Sequence, residues 1–223
     1  MTSTADAKTA PKSIVVWGCG GHGHVVIDLL RAIGGWTIVG ILDNLNPPGT
    51  LIMDVPVLGD ADQLPRLREQ GVEYVAVAIG DSAARAKMLA QAKSLGFRMP
   101  TLIHPSCIVS PSAILGPACV LCAGAIVGPQ TVLGEGVLLN TRASVDHDDR
   151  IGDFSHVAPG ATVCGFVTIG RATWIGAGAV VRDHLAIGDR VMVGAGALVL
   201  KNVPDGLTVY GSPAVHQPKE RKP

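Results

Sequence analysis

The sequence lacks the features that mark membrane and secreted proteins. Glycine, proline and polar residues interrupt every apolar run of the 223-residue chain. No run reaches the roughly 18 residues that a membrane-spanning helix needs. Residues 1–12 contain Asp6 and Lys8 and have no apolar core, which predicts a disordered tail and not a signal peptide. These absences favour a cytoplasmic protein without a membrane partner.

The sequence also lacks an excess of charge and a paired set of cysteine motifs. Its 18 basic residues are balanced by 18 acidic residues, so no overall field attracts nucleic acid or anionic lipid. Cys119 and Cys122 form a single C-x-x-C pair, and a zinc or redox site there is one interpretation. We favour simple packing, because Cys107 and Cys119 fall on positions where small alanines recur. No metal is therefore predicted.

The sequence does contain an uninterrupted six-residue repeat from Val109 to Val199. An aliphatic residue stands at every sixth position, a small residue usually stands two positions earlier, and glycine often follows. This period is typical of a β-helix. Three hexads would form one coil of a triangular prism, with the aliphatic and small residues pointing inward and the glycine easing the turn. A β-propeller or β-sandwich would not keep so strict a period.

The residues before the repeat predict a small parallel α/β domain. An apolar strand at 13–17 leads into Gly18-Cys19-Gly20-Gly21-His22-Gly23 and then into a helical pattern. A strand, a glycine-rich turn and a helix in this order are typical of phosphate binding. His22, at the start of the helix, could donate to an anion there. Asp43 lies twenty residues after Gly23, where a dinucleotide-binding fold has its ribose-binding acid.

The domain is too short for a complete dinucleotide-binding fold. Strands are predicted at 55–59, 74–79 and 98–103, with helices near 62–69 and up to about residue 95. Since a complete fold needs two mononucleotide halves, we expect half of one, binding a single nucleotide. The alternative is that the glycines only pack helix against strand. We place this domain at 13–103, the β-helix at 104–202, and a C-terminal cap and tail at 203–223, with the chain leaving the prism over 201–206.

The most polar stretch of the repeat runs from Asn140 to Asp149 and contains Asp146-His147-Asp148. A histidine flanked by carboxylates is suited to act as a general base. One coil further on stands Gly165, whose missing side chain leaves space beside the His147 ring. The alternative is a surface histidine in a charged corner. His156 lies half a coil later and should face another side, so the two histidines could share a site only between packed prisms, as in a trimer.

Two of these motifs resemble a known family. They are Gly18-Cys19-Gly20-Gly21-His22-Gly23 and Asp146-His147-Asp148 with its continuation to Ala161, and the likeness covers about residues 13–214. The chain resembles the bacterial sialic acid O-acetyltransferases and nucleotide-sugar N-acetyltransferases, including those that act on UDP-amino-sugars and GDP-perosamine. The resemblance implies a half-Rossmann domain, a left-handed β-helix, a homotrimer, and acetyl-CoA bound between neighbouring β-helices. It also implies a role in surface polysaccharide or protein glycosylation.

The resemblance assigns roles to individual residues. His147 would be the base, and Asp148 the acid that raises its basicity. The nucleotide sugar would contact Gly20, Gly21, His22, Asp43, Asn44 and Gly80. Coenzyme A would contact His156, Gly165, Ala177 and Ala195.

We therefore predict direct acetyl transfer from acetyl-CoA to the amine of a nucleotide-linked 4-amino-4,6-dideoxysugar. The sequence leaves open whether the nucleotide is UDP, GDP or dTDP. The nearest alternative is O-acetylation of a sialic acid or related sugar. Alternatives from other classes are an NAD-linked enzyme or sensor, which would use the glycine run and Asp43, and a non-catalytic β-helix scaffold.

Overall fold

The computed structural model describes residues 11–216, so most of the predicted N-terminal tail and the end of the C-terminal tail lie outside the described residues. The first domain is a five-stranded sheet flanked by helices. Its elements are β1 (Lys12–Trp17), α1 (Gly21–Ile33), β2 (Trp36–Leu42), β3 (Leu51–Ile52), β4 (Val55–Gly59), α2 (Leu64–Glu69), β5 (Tyr74–Val77) and α3 (Ser82–Ser94), with a 3-10 turn at Ala61–Gln63 before α2.

The sheet has the order β3-β4-β2-β1-β5 and is parallel except for the β3–β4 hairpin. The central strand β1 is an unbroken apolar run because the sheet is covered on both sides. Val15 packs with α2 and α3, while Ile14 and Val16 pack with α1. This arrangement confirms the predicted Rossmann-like domain.

The second domain is a β-helix made of two-residue strands. In chain order they are β6 (Leu102–Ile103), β7 (Ile108–Val109), β8 (Ile114–Leu115), β9 (Val120–Leu121), β10 (Ile126–Val127), β11 (Val132–Leu133), β12 (Leu138–Leu139), β13 (Ser144–Val145), β14 (Arg150–Ile151), β15 (His156–Val157), β16 (Thr162–Val163), β17 (Thr168–Ile169), β18 (Trp174–Ile175), β19 (Val180–Val181), β20 (Ala186–Ile187), β21 (Met192–Val193), β22 (Leu198–Val199), β23 (Thr208–Tyr210) and β24 (Val215–His216).

These strands form three parallel faces. The first face contains β6, β9, β12, β15, β18, β21 and β23, with β24 at its edge; the second contains β7, β10, β13, β16, β19 and β22; the third contains β8, β11, β14, β17 and β20. Strand partners lie one coil apart, as in Val127 beside Val145, which confirms the predicted eighteen-residue coil. The sixth-position aliphatics, such as Val157, and the small residues, such as Ala143, are fully buried inside the prism.

The glycines that follow the aliphatic positions have a different cause from the one predicted. The left-handed backbone falls two positions later, at residues such as Asp148 (φ 59°) and Gly178 (φ 65°). A Cβ on Gly116 would instead lie 2.5 Å from the carbonyl oxygen of Gly134, and a Cβ on Gly176 would lie equally close to Val193. Glycine is needed here because successive coils approach closely, and the expectation that it eases the turn was wrong.

Both ends of the β-helix differ from the predicted bounds. Leu102 and Ile103 pair with β9, so the last strand expected in the first domain begins the prism. At the other end, Val203 bridges to Ile187 and β23 pairs with β21. The chain therefore does not leave the prism over 201–206; it completes a further coil with a step of sixteen residues in place of eighteen. The antiparallel strand β24 then covers the edge of β23.

The first domain packs on the first face of the β-helix. Val120, Cys122 and Leu138 share one core with α1 residues Val26 and Ile27. Because the prism is triangular, the turns that join the second face to the third form the corner opposite this junction.

Candidate active site

His147 lies on the turn between β13 and β14, at the corner opposite the first domain. Its backbone N–H donates to the Oδ1 atom of Asp146 at 2.9 Å, and its Nδ1 atom lies 2.9 Å from the Oδ2 atom of Asp148. Asp148 reaches the ring because it occupies the left-handed position of the turn, a conformation that aspartate tolerates better than most residues. The two side chains are 46% and 40% exposed, so the pair is open to a substrate.

The pair has the electronic arrangement of a general base. The hydrogen bond with Asp148 raises the pKa of His147, and the charge of Asp146 adds to the effect. Because Nδ1–H is held by the carboxylate, Nε2 is the nitrogen that can accept a proton.

Gly165 lies directly against this ring, as the sequence predicted. A Cβ at Gly165 would stand 2.6 Å from both Cε1 and Nε2 of His147. The Phe166 ring meets the imidazole edge-on, with centroids 5.2 Å apart, and stacks on His184 at 4.8 Å. The imidazole is thus held by Asp148, Gly165 and Phe166.

His156 lies on β15 of the first face, away from His147, as its half-coil spacing predicted. It is 3% exposed and packs against Trp174 with ring centroids 4.1 Å apart. Its Nε2 atom lies 3.1 Å from Nδ2 of Asn140. Burial and the nearby Arg85 lower the pKa of His156 to about 3, so the ring is neutral. The predicted contact of His156 with coenzyme A stays a prediction.

The glycine-rich turn places His22 near the same junction. Gly20 caps the N-terminus of α1, and Cβ atoms at Gly20 and Gly21 would meet nothing within 4 Å, so this end of the helix is open to an anion. Burial and the charge of Arg85 lower the pKa of His22 to about 4. Gly80 borders both His156 and Trp174. The structure thus gathers His22, Gly80 and His156, which the sequence had placed in two domains.

A cavity of about 410 Å³ opens beside the glycine-rich turn. Asp43 and Asn44 line it together with Trp17 and Gly18. Burial alone would raise the pKa of Asp43, but hydrogen bonds from Asn46, Cys19 and Leu45 hold it below its usual range. Asp43 is therefore a charged carboxylate in the lining of this cavity.

The turns at 158–161, 176–179 and 194–197, which join the first face to the second, form a ridge of small residues. Ala177 and Ala195 are exposed on it, and Cβ atoms at Gly160, Gly178 and Gly196 would meet nothing within 4 Å. A chain-like ligand could approach this backbone closely, which suits the predicted coenzyme A contacts. His147, Gly165 and His156 are not part of the ridge.

Four residues that the sequence argument did not single out complete these sites. Phe166 and His184 support His147, Trp174 packs on His156, and Arg85 joins the two domains. Arg85 is 2% exposed and donates to the carbonyl oxygens of Gly80 at 2.7 Å and Gly136 at 2.9 Å. The eighteen-residue spacing could have paired His156 with Trp174, but nothing local marks Arg85.

Among residues 11–216, no group of three or more His, Cys, Asp or Glu side chains is arranged to hold a metal ion. In the same range no helix has the length and hydropathy needed to cross a membrane. Cys119 and Cys122 are both buried free cysteines, and Cys119 occupies the predicted inward position.

Comparison with known proteins matches both domains. The PglD N-terminal domain family matches residues 13–92, and the bacterial transferase hexapeptide family (six repeats) matches residues 166–201. GDP-perosamine N-acetyltransferase from Caulobacter crescentus, solved with CoA and GDP-perosamine as a histidine-to-alanine variant, is 39% identical. The alignment covers 93% of this chain and 97% of that one, with a TM-score of 0.89.

Two further structures are similar over nearly their whole length. The acetyltransferase domain of PglB from Neisseria gonorrhoeae FA1090 is 38% identical with a TM-score of 0.88, covering 92% of this chain and 100% of that chain. The same domain has also been solved with acetyl coenzyme A. WeeI from Acinetobacter baumannii AYE is 28% identical with a TM-score of 0.85, covering 92% of this chain and 100% of that one.

Proposed function

The chain belongs to the nucleotide-sugar acyltransferase family of hexapeptide-repeat enzymes, and we propose that it acetylates the amine of a nucleotide-linked 4-amino-4,6-dideoxysugar. It is an acyltransferase that uses acetyl-CoA, and it acts on a nucleotide amino sugar. The observation that carries the finer proposal is the His147–Asp148 pair: its imidazole is about half exposed, its Nε2 can accept a proton, and the ring fits because Gly165 has no side chain.

His147 removes the proton that keeps the sugar amine from reacting. An ammonium has no lone pair, so it must lose a proton before nitrogen can attack the thioester carbonyl. Nε2 accepts this proton, and the Asp148 carboxylate stabilises the imidazolium that forms. A positioned base supplies about 10²–10⁴-fold in rate. As the amide bond forms, the carbon–sulfur bond of acetyl-CoA would break, and coenzyme A would leave as a thiol that takes the proton from the His147 imidazolium. The small-residue ridge at Ala177 and Ala195 would hold the coenzyme.

The first domain would hold the nucleotide. The cavity beside Asp43 and Asn44 has the size for a nucleoside, and the open N-terminus of α1 at Gly20 and Gly21 favours the diphosphate. His22 is neutral, so it can donate a hydrogen bond without adding a second buried charge beside Arg85. The sugar would then extend past Gly80.

This arrangement calls for a second copy of the chain. His147 lies at the corner opposite the face that carries the first domain, so one chain does not bring its own sugar-binding end to its own base. A threefold assembly of parallel prisms would set the corner of one subunit beside the first domain of its neighbour. We therefore propose a homotrimer; a monomeric mass at working concentration with full activity would contradict it. Action in the cytoplasm stays a prediction.

The deciding experiment measures thiol release from acetyl-CoA with UDP-, GDP- and dTDP-linked amino sugars, their hydroxy counterparts and a free sialic acid. Release with one amino sugar alone supports the proposal and identifies the nucleotide. Release only with a free sialic acid or a hydroxy sugar would replace it with O-acetylation.

The role of His147 needs its own test. We expect His147→Ala to lower turnover by at least about tenfold while acetyl-CoA binding, measured by calorimetry, is kept. Turnover near wild type would leave His147 as a binding residue only.

A further inference from the structure

Asp149 is an ionisable residue inside the prism. It stands in the inward position that small hydroxyl residues, cysteine or apolar residues fill in other coils, and none of its surface is exposed. Its Oδ1 atom accepts a hydrogen bond from the backbone N–H of Val167 at 2.7 Å. Its Oδ2 atom is buried without a partner among the described residues. A buried carboxylate with one empty oxygen would be costly, so this atom needs an explanation.

The hydroxyl residues of the same repeat supply that explanation. Ser155 accepts from the N–H of Thr173 at 3.0 Å and donates to the carbonyl oxygen of Gly170 at 2.7 Å. Thr173 does the same with Val191 and Gly188. Each hydroxyl thus bonds to the turn of the next coil in two ways. It accepts from the N–H of the residue eighteen positions later and donates to the carbonyl oxygen of the residue fifteen positions later.

At Asp149 the acceptor half of this pattern is present and the donor half is missing. The residue eighteen positions on is Val167, which donates to Oδ1. The residue fifteen positions on is Cys164, whose carbonyl oxygen receives no hydrogen bond from the described part of the chain. In coils with alanine in the inward position, the turn contains its own hydrogen bond, as from the N–H of Ala161 to the carbonyl oxygen of Ala158. Asp149 has taken the N–H of Val167 from that bond, so Cys164 needs another donor.

We propose that Asp149 is a neutral carboxylic acid whose Oδ2–H donates to the carbonyl oxygen of Cys164, and that this bond positions the turn on which Gly165 and Phe166 support His147. If Asp149 were ionised, its Oδ2 atom and the carbonyl oxygen of Cys164 would both be acceptors, with no hydrogen atom to bond them. Asp149 is a positioning residue, because it acts through the turn and not on substrate. Its effect on catalysis rests on the proposed role of His147 as base.

The surroundings of Asp149 agree with a neutral acid. Burial raises its pKa to about 7, and the charge of Asp146 adds to this, while the backbone N–H groups of Val167 and Asp146 and the charge of His147 oppose it. The ionisable groups that face it are Asp146 and His147 on its own turn and Cys164 on the next coil. The preceding coil presents Thr131, which does not ionise and accepts from the Asp149 N–H at 3.3 Å.

The protonation state can be measured without any substrate. Infrared difference spectra between wild type and Asp149→Asn should contain the carbonyl band of a neutral carboxylic acid at about pH 6, two units above the ordinary pKa of an aspartate near 4. The band should weaken as pH rises toward 8. Difference spectra with only a carboxylate band at pH 6 would overturn the neutral acid. This result does not depend on whether His147 is the base.

Turnover tests the positioning role. Asp149→Asn keeps one acceptor and one donor, so we expect turnover within about twofold of wild type at pH 6 and an acid limb of the kcat profile that does not move, because a neutral Asp149 contributes no charge there. Asp149→Val loses both hydrogen bonds, so the N–H of Val167 can bond to the carbonyl oxygen of Cys164 within its own turn. Valine fits this position, since Val137 and Val191 occupy it in other coils. We expect the valine variant to fold with an unchanged melting temperature or a higher one and to lose about tenfold or more in kcat.

Thr173→Val is the matched control. It removes the equivalent two hydrogen bonds, with Val191 and Gly188, from a turn that does not contact His147. We expect its turnover to stay within about twofold of wild type. Wild-type turnover in Asp149→Val, or an equal loss of turnover in Asp149→Asn, would overturn the positioning role. If His147→Ala is itself fully active, the proposed base fails, while the infrared band still decides the state of Asp149.

Discussion

Replacing Gly165 with alanine should displace the His147 ring while leaving the stability of the fold nearly unchanged. Gly165 does not have a left-handed backbone, so alanine is compatible with its conformation. The new Cβ would lie 2.6 Å from Nε2. Since carbon atoms rest about 3.5–4.0 Å apart, the ring must move by roughly 1 Å. The His147 side chain is 46% exposed and can swing outward, so the free energy of unfolding should change by less than about 1 kcal/mol.

The same displacement should be severe for catalysis. A misplacement of about 1 Å can cost about 10²-fold in rate, which is about 2.7 kcal/mol of transition-state stabilisation. We expect Gly165→Ala to lower kcat by roughly this factor in the thiol-release assay while its melting temperature stays close to wild type. In a His147→Ala background the clash no longer exists, so adding Gly165→Ala should cause no further loss. Wild-type turnover in Gly165→Ala, or an equal additional loss in the double variant, would refute the reasoning.

Three other perturbations follow from the same geometry. Asp148→Asn replaces the charged acceptor whose hydrogen bond raises the pKa of His147 with a neutral amide, so the acid limb of kcat/KM should move to lower pH; an unmoved limb would contradict the pairing. Arg85→Met leaves several buried carbonyls without a donor and should lower the free energy of unfolding by about 3 kcal/mol in urea titrations. Its nuclear magnetic resonance titration should give a higher pKa for His22; an unchanged value would mean that burial alone sets it. Because folding raises the pKa of Asp149, wild type should lose stability relative to Asp149→Asn as pH rises from about 4 to about 7; parallel melting curves over that range would contradict the shift.

Much of the fold was predictable because its signals are local and repeat. The inward aliphatic at every sixth residue decides which side chains face the axis, so the register of all three faces followed from counting. The helix start at Gly20 and the position of Asp43 at the end of the second strand followed from the order of strand, glycine-rich turn and helix. The proximity of Gly165 to His147 followed from the same eighteen-residue step.

Other features required the coordinates because they depend on what lies across a coil or a domain boundary. The sequence alone assigned the glycines to the turn, whereas Gly116 is needed because the next coil lies 2.5 Å from its missing Cβ. The last coil has a sixteen-residue step, which a strict period does not contain. Arg85 sits on a helix with no unusual pattern, and its carbonyl partners at Gly80 and Gly136 meet only when the domains dock.

The sequence by itself determined the prism, its coil length, the Rossmann-like first domain and the His147–Asp148 pair. Each of these depends on residues at a fixed and short spacing along the chain. Only the tertiary structure decided that His156 is buried against Trp174 and Gly80, and that Asp149 has an oxygen without a partner inside the prism. The physical reason is that burial and hydrogen-bond partners belong to the packed molecule. From the sequence, Asp149 resembles a surface charge in a polar turn; only the packing of the next coil shows that it is buried.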